Sequence, residues 1–349
     1  MPATIRDVAE VAGVSITTVS HVLNGKGRTS ERVRRAVLDA VQQVGYKADP
    51  IARSLRTGRT GILGIVFRPS DAISGSLNGT EYHIKLAGSA AAGALSRGYG
   101  LLHLPDLERG SLPPLPMDGC VVVAPRLRDP VVAFLEERNI PFVLADPDPG
   151  RPEREWSIKR DDHGGMQRLL DHLSANGAQR IAFICGRDEN DWMLEAAKAY
   201  DEWSLRQGRE PLRHMLAEAG GPENAYSLAL RELAKDGRPD AVITATSRFA
   251  QGVVRAIAEL GLRMPDEIML STLSDSEIAR GNGVPITALN LHGEIMGRDC
   301  IALLVSRLGS EAPGARASIQ PALVVRQSTM RNACGTPPAA SHLFGSEAF

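Results

Sequence analysis

Apolar positions fall into two regimes along the 349-residue chain. Up to about residue 45 they recur at helical spacing. Val33, Val37, Ala40, Val41 and Val44 share one helix face, with Ser30 as its N-cap and Gly45 as its stop. Thr4 caps an earlier helix over residues 5–11, with Asp7 three residues on in a near-capping-box position. Ala12-Gly13 interrupts the pattern, and Ser15 caps a second helix from residue 16 to about residue 24. Ile5, Val8, Val14, Val19 and Val22 complete a three-helix core of roughly 45 residues, near the lower size limit for folding alone. From Gly61 the pattern changes to short apolar runs separated by helical stretches. Residues 62–67, 101–104, 120–124 and 142–145 read as buried parallel strands, with helices over 82–97 and 130–138. A second series follows, with strands at 181–185, 241–244 and 268–271 and helices at 163–176, 193–207, 226–236 and 249–260. This alternation predicts two open parallel sheets with helices on both faces. Ligands bind such sheets beyond the carboxyl ends of the strands, so two facing sheets make an interdomain cleft.

A helix, a tight turn with Gly and a second helix form a helix-turn-helix arrangement. Ile16, Thr17, Thr18 and His21 are left over on the second helix. They are short or flat, suited to base edges and thymine methyls in a major groove. Lys26, Arg28, Arg32, Arg34 and Arg35 are available for phosphates. The same helix pattern also fits a plain three-helix bundle with a solvated basic face, and His21 a surface histidine. Charge sharpens the choice. The net charge of −1 is a cancellation, since residues 1–60 carry +5 and the remainder −6. A small basic head on an acidic body points to a polyanion partner for the head.

The letters are more specific than the pattern. Thr4-Ile5-Arg6-Asp7-Val8-Ala9-Glu10, Ala12-Gly13-Val14-Ser15 and Thr18-Val19-Ser20-His21-Val22-Leu23-Asn24 resemble the head of LacI/GalR-family repressors, nearest the purine-repressor type. The match continues through Val44-Gly45-Tyr46 and Ala52-Arg53-Ser54-Leu55. The resemblance implies base-reading roles for Ile16, Thr17 and His21, and backbone-register roles for Ser15, Thr18 and Asn24. Asp49 and Pro50 open a short hinge helix, too short to be stable alone. In the family this segment pairs with its twofold mate in the minor groove. The resemblance makes Leu55 the wedge that kinks the DNA, and Arg53, Arg56 and Lys26 join the expected DNA contacts. One departure is visible: Ala48 stands where the family has Pro, so the hinge is expected to begin slightly later.

The body resembles the family's periplasmic-binding-protein-like portion. The matching stretches include His163-Gly164-Gly165, Gly177-Ala178-Gln179-Arg180-Ile181, Pro239-Asp240-Ala241 and Gly261-Leu262-Arg263-Met264-Pro265-Asp266. The expected organisation is a helix-turn-helix head (1–48), a hinge helix and linker (49–60) and a two-lobed body (61–331). Lobe 1 takes about 61–158 and 290–317, lobe 2 about 161–287 and 320–331, and residues 332–349 read as a mobile tail. Ligand positions depart from the family. Ala196 stands for the usual Arg, Ala199 for the Gly, Thr246-Ser247 for Asn-Asp, and Ser274 for Asp. Losing those charged groups removes bidentate hydrogen bonds to hydroxyl-rich ligands, which argues against a standard monosaccharide. The cleft candidates at strand ends are Arg68, Ser70, Asp71, Asp146, Arg187, Trp192, Thr246, Ser247, Ser274 and Asp275. Loop salt bridges serve equally well for Arg187 and Asp146, an exposed loop position for Trp192, and helix packing for Trp203.

Other classes are excluded on sequence grounds. No apolar run approaches a membrane span, and the segment around Asp7 and Glu10 does not read as a secretory signal. The four cysteines have no metal-type spacing and fit a reduced, cytoplasmic chain. P-loop, nucleophile-elbow and His-Glu-x-x-His patterns are absent. The expectation is therefore a non-enzymatic regulator without cofactor or metal. Its partners are double-stranded operator DNA, a small-molecule effector and a second copy of itself, as a dimer or tetramer. The competing reading is a regulator whose degenerate body has lost effector response.

Overall fold

The computed structural model describes residues 3–23, 29–46, 59–67, 80–104, 116–281, 283–310 and 318–331. It divides into two compact units: Met1–Ile62 with Pro116–Asp118, and the remainder. The expected sites Asn24, Lys26, Arg53, Leu55, Arg56, Arg68, Ser70 and Asp71, and the tail from residue 332, lie outside the described residues.

The first unit contains helices α1 (Ile5–Ala12), α2 (Ile16–Leu23) and α3 (Glu31–Val44). Each begins where a side chain can satisfy open backbone donors. The Thr4 amide and hydroxyl both donate to Asp7 Oδ2, at 2.7 and 2.9 Å. Those bonds hold the Asp7 carboxyl below its ordinary range. Ser15 Oγ accepts from the Thr18 amide at 3.1 Å, and Ser30 Oγ from the Val33 amide at 3.4 Å. Gly13 and Gly45 close α1 and α3 at φ 64°, a left-handed conformation that glycine adopts without penalty. The buried core is Val8, Ala9, Val19, Val22, Val37 and Ala40. Val33, expected in that core, is only half-buried in the first turn of α3.

The second unit is built on two six-stranded sheets. The first sheet uses β1 (Ile62–Val66), β2 (Gly100–Leu104), β3 (Gly119–Val123), β4 (Phe142–Ala145), β5 (Ser157–Arg160) and a late strand, Ser318–Ile319. The helices of this lobe are α4 (Glu81–Leu95) and α5 (Pro130–Glu137). After α6 (Asp162–Ala175), the second sheet takes β6 (Ile181–Gly186), β7 (Leu212–Leu216), β8 (Ala241–Thr244), β9 (Met269–Thr272) and β10 (Thr287–Asn290). Helices α7 (Asp191–Arg206), α8 (Gly221–Leu233), α9 (Ser247–Glu259) and α10 (Glu277–Arg280) connect them. The long helix α11 (Gly293–Leu308) then returns to the first lobe and leads to β11 (Ser318–Ile319), and β12 (Ala322–Val324) closes the second sheet. Strand order is β11-β5-β4-β3-β1-β2 in one sheet and β12-β10-β9-β8-β6-β7 in the other. The chain thus passes between sheets after β5, after β10 and after β11.

One expectation needs correction. The second sheet is not wholly parallel, because β12 pairs antiparallel with β10 as the chain turns back at the edge. Thr287–Asn290 is a strand of the second sheet, and the chain returns to the first lobe after it. The buried clusters explain why the strands read as apolar runs: Leu63, Ile65, Val121, Val123 and Val143 fill one lobe, and Phe183, Ile243 and Leu270 the other. Trp203 belongs to the second cluster as helix packing. Helix α11 meets α4 across glycine. A Cβ at Gly293 would collide with the Tyr82 carbonyl oxygen, and one at Gly297 with that of Leu86.

Candidate functional site

Helix α2 sorts its residues cleanly. Val19 and Val22 point into the three-helix core, while Thr17 and His21 are exposed and Ile16 is 45% exposed. The Ser15 and Thr18 hydroxyls are bonded to each other at 2.9 Å as well as serving the cap.

A cleft lies between the two lobes of the second unit. Its first-lobe wall is formed by Tyr82 and His83 at the start of α4, by Val123, Ala124 and Arg126 after β3, and by Asp146 and Arg160 at the ends of β4 and β5. Its second-lobe wall is formed by Asp188, Asn190 and Trp192 after β6, Glu218, Thr246 and Arg248 after β7 and β8, and Ser274 and Leu291 after β9 and β10. Every one of those strands presents its carboxyl end, as open parallel sheets do. Ala124 (φ 47°) and Asp146 (φ 73°) hold left-handed backbone there without being glycine. Such positions are strained and gather at functional sites.

Arg160 dominates the electrostatics. Its side chain is 2% exposed. Nε and Nη2 donate to the two oxygens of Asp162 at 2.7 and 3.1 Å, Nη2 also donates to Asp146 Oδ2 at 3.2 Å, and Nη1 donates to the Tyr82 hydroxyl at 2.7 Å. The guanidinium also lies 5.2 Å from the Tyr82 ring centre. Burial pushes Asp162 up to about 7 despite Arg160, and Asp191 up to about 6. It pushes the His83 imidazole down to about 4, so that ring is neutral at physiological pH. Ion pairs between described residues join the lobes. Arg126 meets Asp188 at 3.6 Å, beside a Leu127 amide bond to the Glu189 carbonyl at 3.1 Å. Glu81 of α4 meets Arg280 of α10.

Of the described cleft candidates, Asp146, Trp192, Thr246 and Ser274 line this cavity. Three do not. Arg187, directly after β6, is exposed and not among the lining residues. Ser247 is fully buried and accepts a hydrogen bond from Ser276 Oγ at 2.7 Å. Asp275 is held by Arg280 and Arg326, each at 2.8–2.9 Å, and faces a neighbouring indentation. Ala196 and Ala199 are buried in the second-lobe core. The reading from sequence missed Arg160, Tyr82, Arg126 and Arg248. An Arg followed two residues later by Asp162 was the one local signal for Arg160. No group of His, Cys, Asp and Glu among the described residues is arranged to hold a metal, and no described helix is long and apolar enough to cross a membrane.

Comparison with known proteins adds independent observations. Residues 4–49 match the model for bacterial regulatory proteins of the lacI family, and residues 170–329 match a periplasmic binding protein-like domain. The HTH-type transcriptional repressor PurR of Mannheimia succiniciproducens is 27% identical, over 94% of this chain and 99% of its own. The HTH-type transcriptional regulator CelR of Thermobifida fusca is 29% identical, over 93% and 98%. Among solved structures, a lac repressor dimer bound to operator and the anti-inducer ONPF superposes with a TM-score of 0.78 at 21% identity, covering 95% of this chain and 100% of that one. A CelR–cellobiose complex gives 0.68 at 24% identity, covering 93% and 99%.

Proposed function

The chain belongs to the LacI/GalR family of DNA-binding transcriptional regulators, and from that premise we propose that it represses transcription as a homodimer on a palindromic operator, controlled by a small molecule in the interlobe cleft. Members of the family are DNA-binding regulators rather than enzymes. The observation that carries the reading is the outward face of α2, where Ile16, Thr17 and His21 stand free of the core. These three read base edges, while Ser15 and Thr18 fix the backbone register. Asn24, Lys26, Arg53, Leu55 and Arg56 complete the proposed DNA-contacting set. Two heads about a twofold axis read two half-sites, which sets the dimer and the palindrome. The solved lac repressor relative, a dimer on its operator, supports that stoichiometry.

Control follows from linkage. A ligand shifts the lobes only through its different affinity for two arrangements. The cleft wall drawn from both lobes, and the ion pairs Arg126–Asp188 and Glu81–Arg280, support such a two-state body. Asp146, Trp192, Thr246 and Ser274 are the proposed ligand contacts, joined by Tyr82, Arg126 and Asn190. The test is operator selection on the purified protein, repeated across a metabolite panel. The expected result is an enriched palindrome whose binding falls with salt at a log–log slope of about −0.9 per neutralised phosphate, and which one metabolite strengthens or weakens. No duplex bound above background at low salt overturns the reading.

A further inference from the structure

The inner end of the cleft holds more negative charge than its own residues neutralise. Asp146 is 2% exposed, lines the cavity and spends one oxygen on Arg160. Its other oxygen, Oδ1, is buried and accepts no hydrogen bond. A buried carboxylate oxygen without a donor is costly, and here it sits on backbone already held left-handed. Arg160 has little left to give, since its Nε, Nη1 and Nη2 are all engaged. Asp162 and Asp191 are buried within electrostatic reach of Asp146 and Arg160. Asp191 Oδ2 is also buried without a partner. One buried guanidinium therefore faces three buried carboxyls, with the exposed Lys159 also acting on Asp191. Elsewhere on the wall Arg126 and Arg248 are matched in number by Asp188 and Glu218. Burial raises the proton affinity of all three carboxyls, and the charge of Asp146 adds to the rise at Asp162 and Asp191.

A hydroxyl would satisfy Oδ1 but leave the charge unbalanced. An ammonium does both, and a charge-assisted bond is roughly twice as strong as a neutral one. Val123, Ala124, Leu291 and the half-buried Trp192 give the rest of the cavity an apolar character, and an indole face also attracts cations. Resting on the effector reading above, we infer that the ligand of this cleft is a small molecule bearing a protonated amine, which donates to Asp146 Oδ1, on a largely apolar or ring-shaped body. This separates the chain from regulators whose cleft recognises neutral polyols.

The test uses the full-length protein and matched pairs differing only in the charged group: benzylamine and benzyl alcohol, D-glucosamine and D-glucose, putrescine and 1,4-butanediol, with benzoate as the anionic control. Binding is read by calorimetry and by the change in affinity for the selected operator. The expected result is at least one amine bound about tenfold or more tighter than its alcohol, with the preference lost in Asp146→Asn. The wild-type preference needs no variant, so a poorly folded Asp146→Asn does not block the test. A preference that survives in a folded Asp146→Asn overturns the assignment to this carboxylate. An alcohol or benzoate binding as well as its amine, or no amine binding at all, overturns the inference. In the first of these cases the effector reading stands. If no member of a wider metabolite panel alters operator affinity either, that reading fails separately.

Discussion

The outward face of α2 and the inner wall of the cleft solve opposite problems. On α2 the proposed contact residues Ile16, Thr17 and His21 are exposed, carry no buried charge and lean on a core that is wholly apolar. In the cleft the proposed polar contacts Asp146 and Tyr82 are held in place, with the buried Asp162, through Arg160. A surface that reads a large, rigid partner can leave its side chains to water until the partner arrives. A pocket for a small ligand must fix its groups beforehand, and so it carries the desolvation itself.

The comparison breaks first at Arg160. Replacing it with Ala leaves Asp146 and Asp162 buried without their cation, and body stability should fall by about 3–5 kcal/mol. Urea unfolding followed by a probe in the body checks this, and a loss below about 1 kcal/mol would show the charges relaxing into solvent. On the other side, His21→Ala should leave thermal unfolding unchanged yet cost about 1–3 kcal/mol of discrimination between the selected operator and single-base variants. An equal loss on every sequence would make His21 a backbone contact instead.

The buried carboxyls also give the body a pH signature. Burial lifts Asp162 and Asp191 from 3.8 to about 7 and about 6, with Arg160, Asp146, Lys159 and Glu195 among the charged groups acting on them. Between the unfolded and folded values the folded chain binds more protons, so stability falls as pH rises through that window and levels off above about 7. A melting temperature several degrees lower at pH 8 than at pH 5, with a flatter profile in Asp162→Asn, is the expected outcome. The smallest effect belongs to the half-exposed Glu81–Arg280 pair. Glu81→Gln should change stability by less than about 1 kcal/mol while altering the ligand concentration needed for a half-maximal operator response.

Much of the head is legible in sequence because its signals are local. Thr4 with Asp7, Ser15, Ser30, Gly13 and Gly45 each act within four residues. The body strands are legible where both faces are buried, as in Phe142–Ala145 and Ala241–Thr244, each buried throughout. They disappear where a strand is short or carries charge. Ser157–Arg160 reads as a polar connection because its last two residues are Lys and Arg. Leu212–Leu216, at a sheet edge, alternates half-buried and exposed positions. The cleft is hidden for a related reason: beyond the nearby Asp162, the partners of Arg160 include Tyr82 and Asp146, 78 and 14 residues away.

Glycine at 293 and 297 lets α11 and α4 touch almost backbone to backbone. Two rods clamped so closely cannot slide past each other one side chain at a time. Tyr82, at the first turn of α4, reaches Arg160 in the cleft, while α11 begins just after the strand that brings the chain back from the other lobe. Any displacement of the tyrosine is therefore expected to carry α4 and α11 together toward the interlobe crossing.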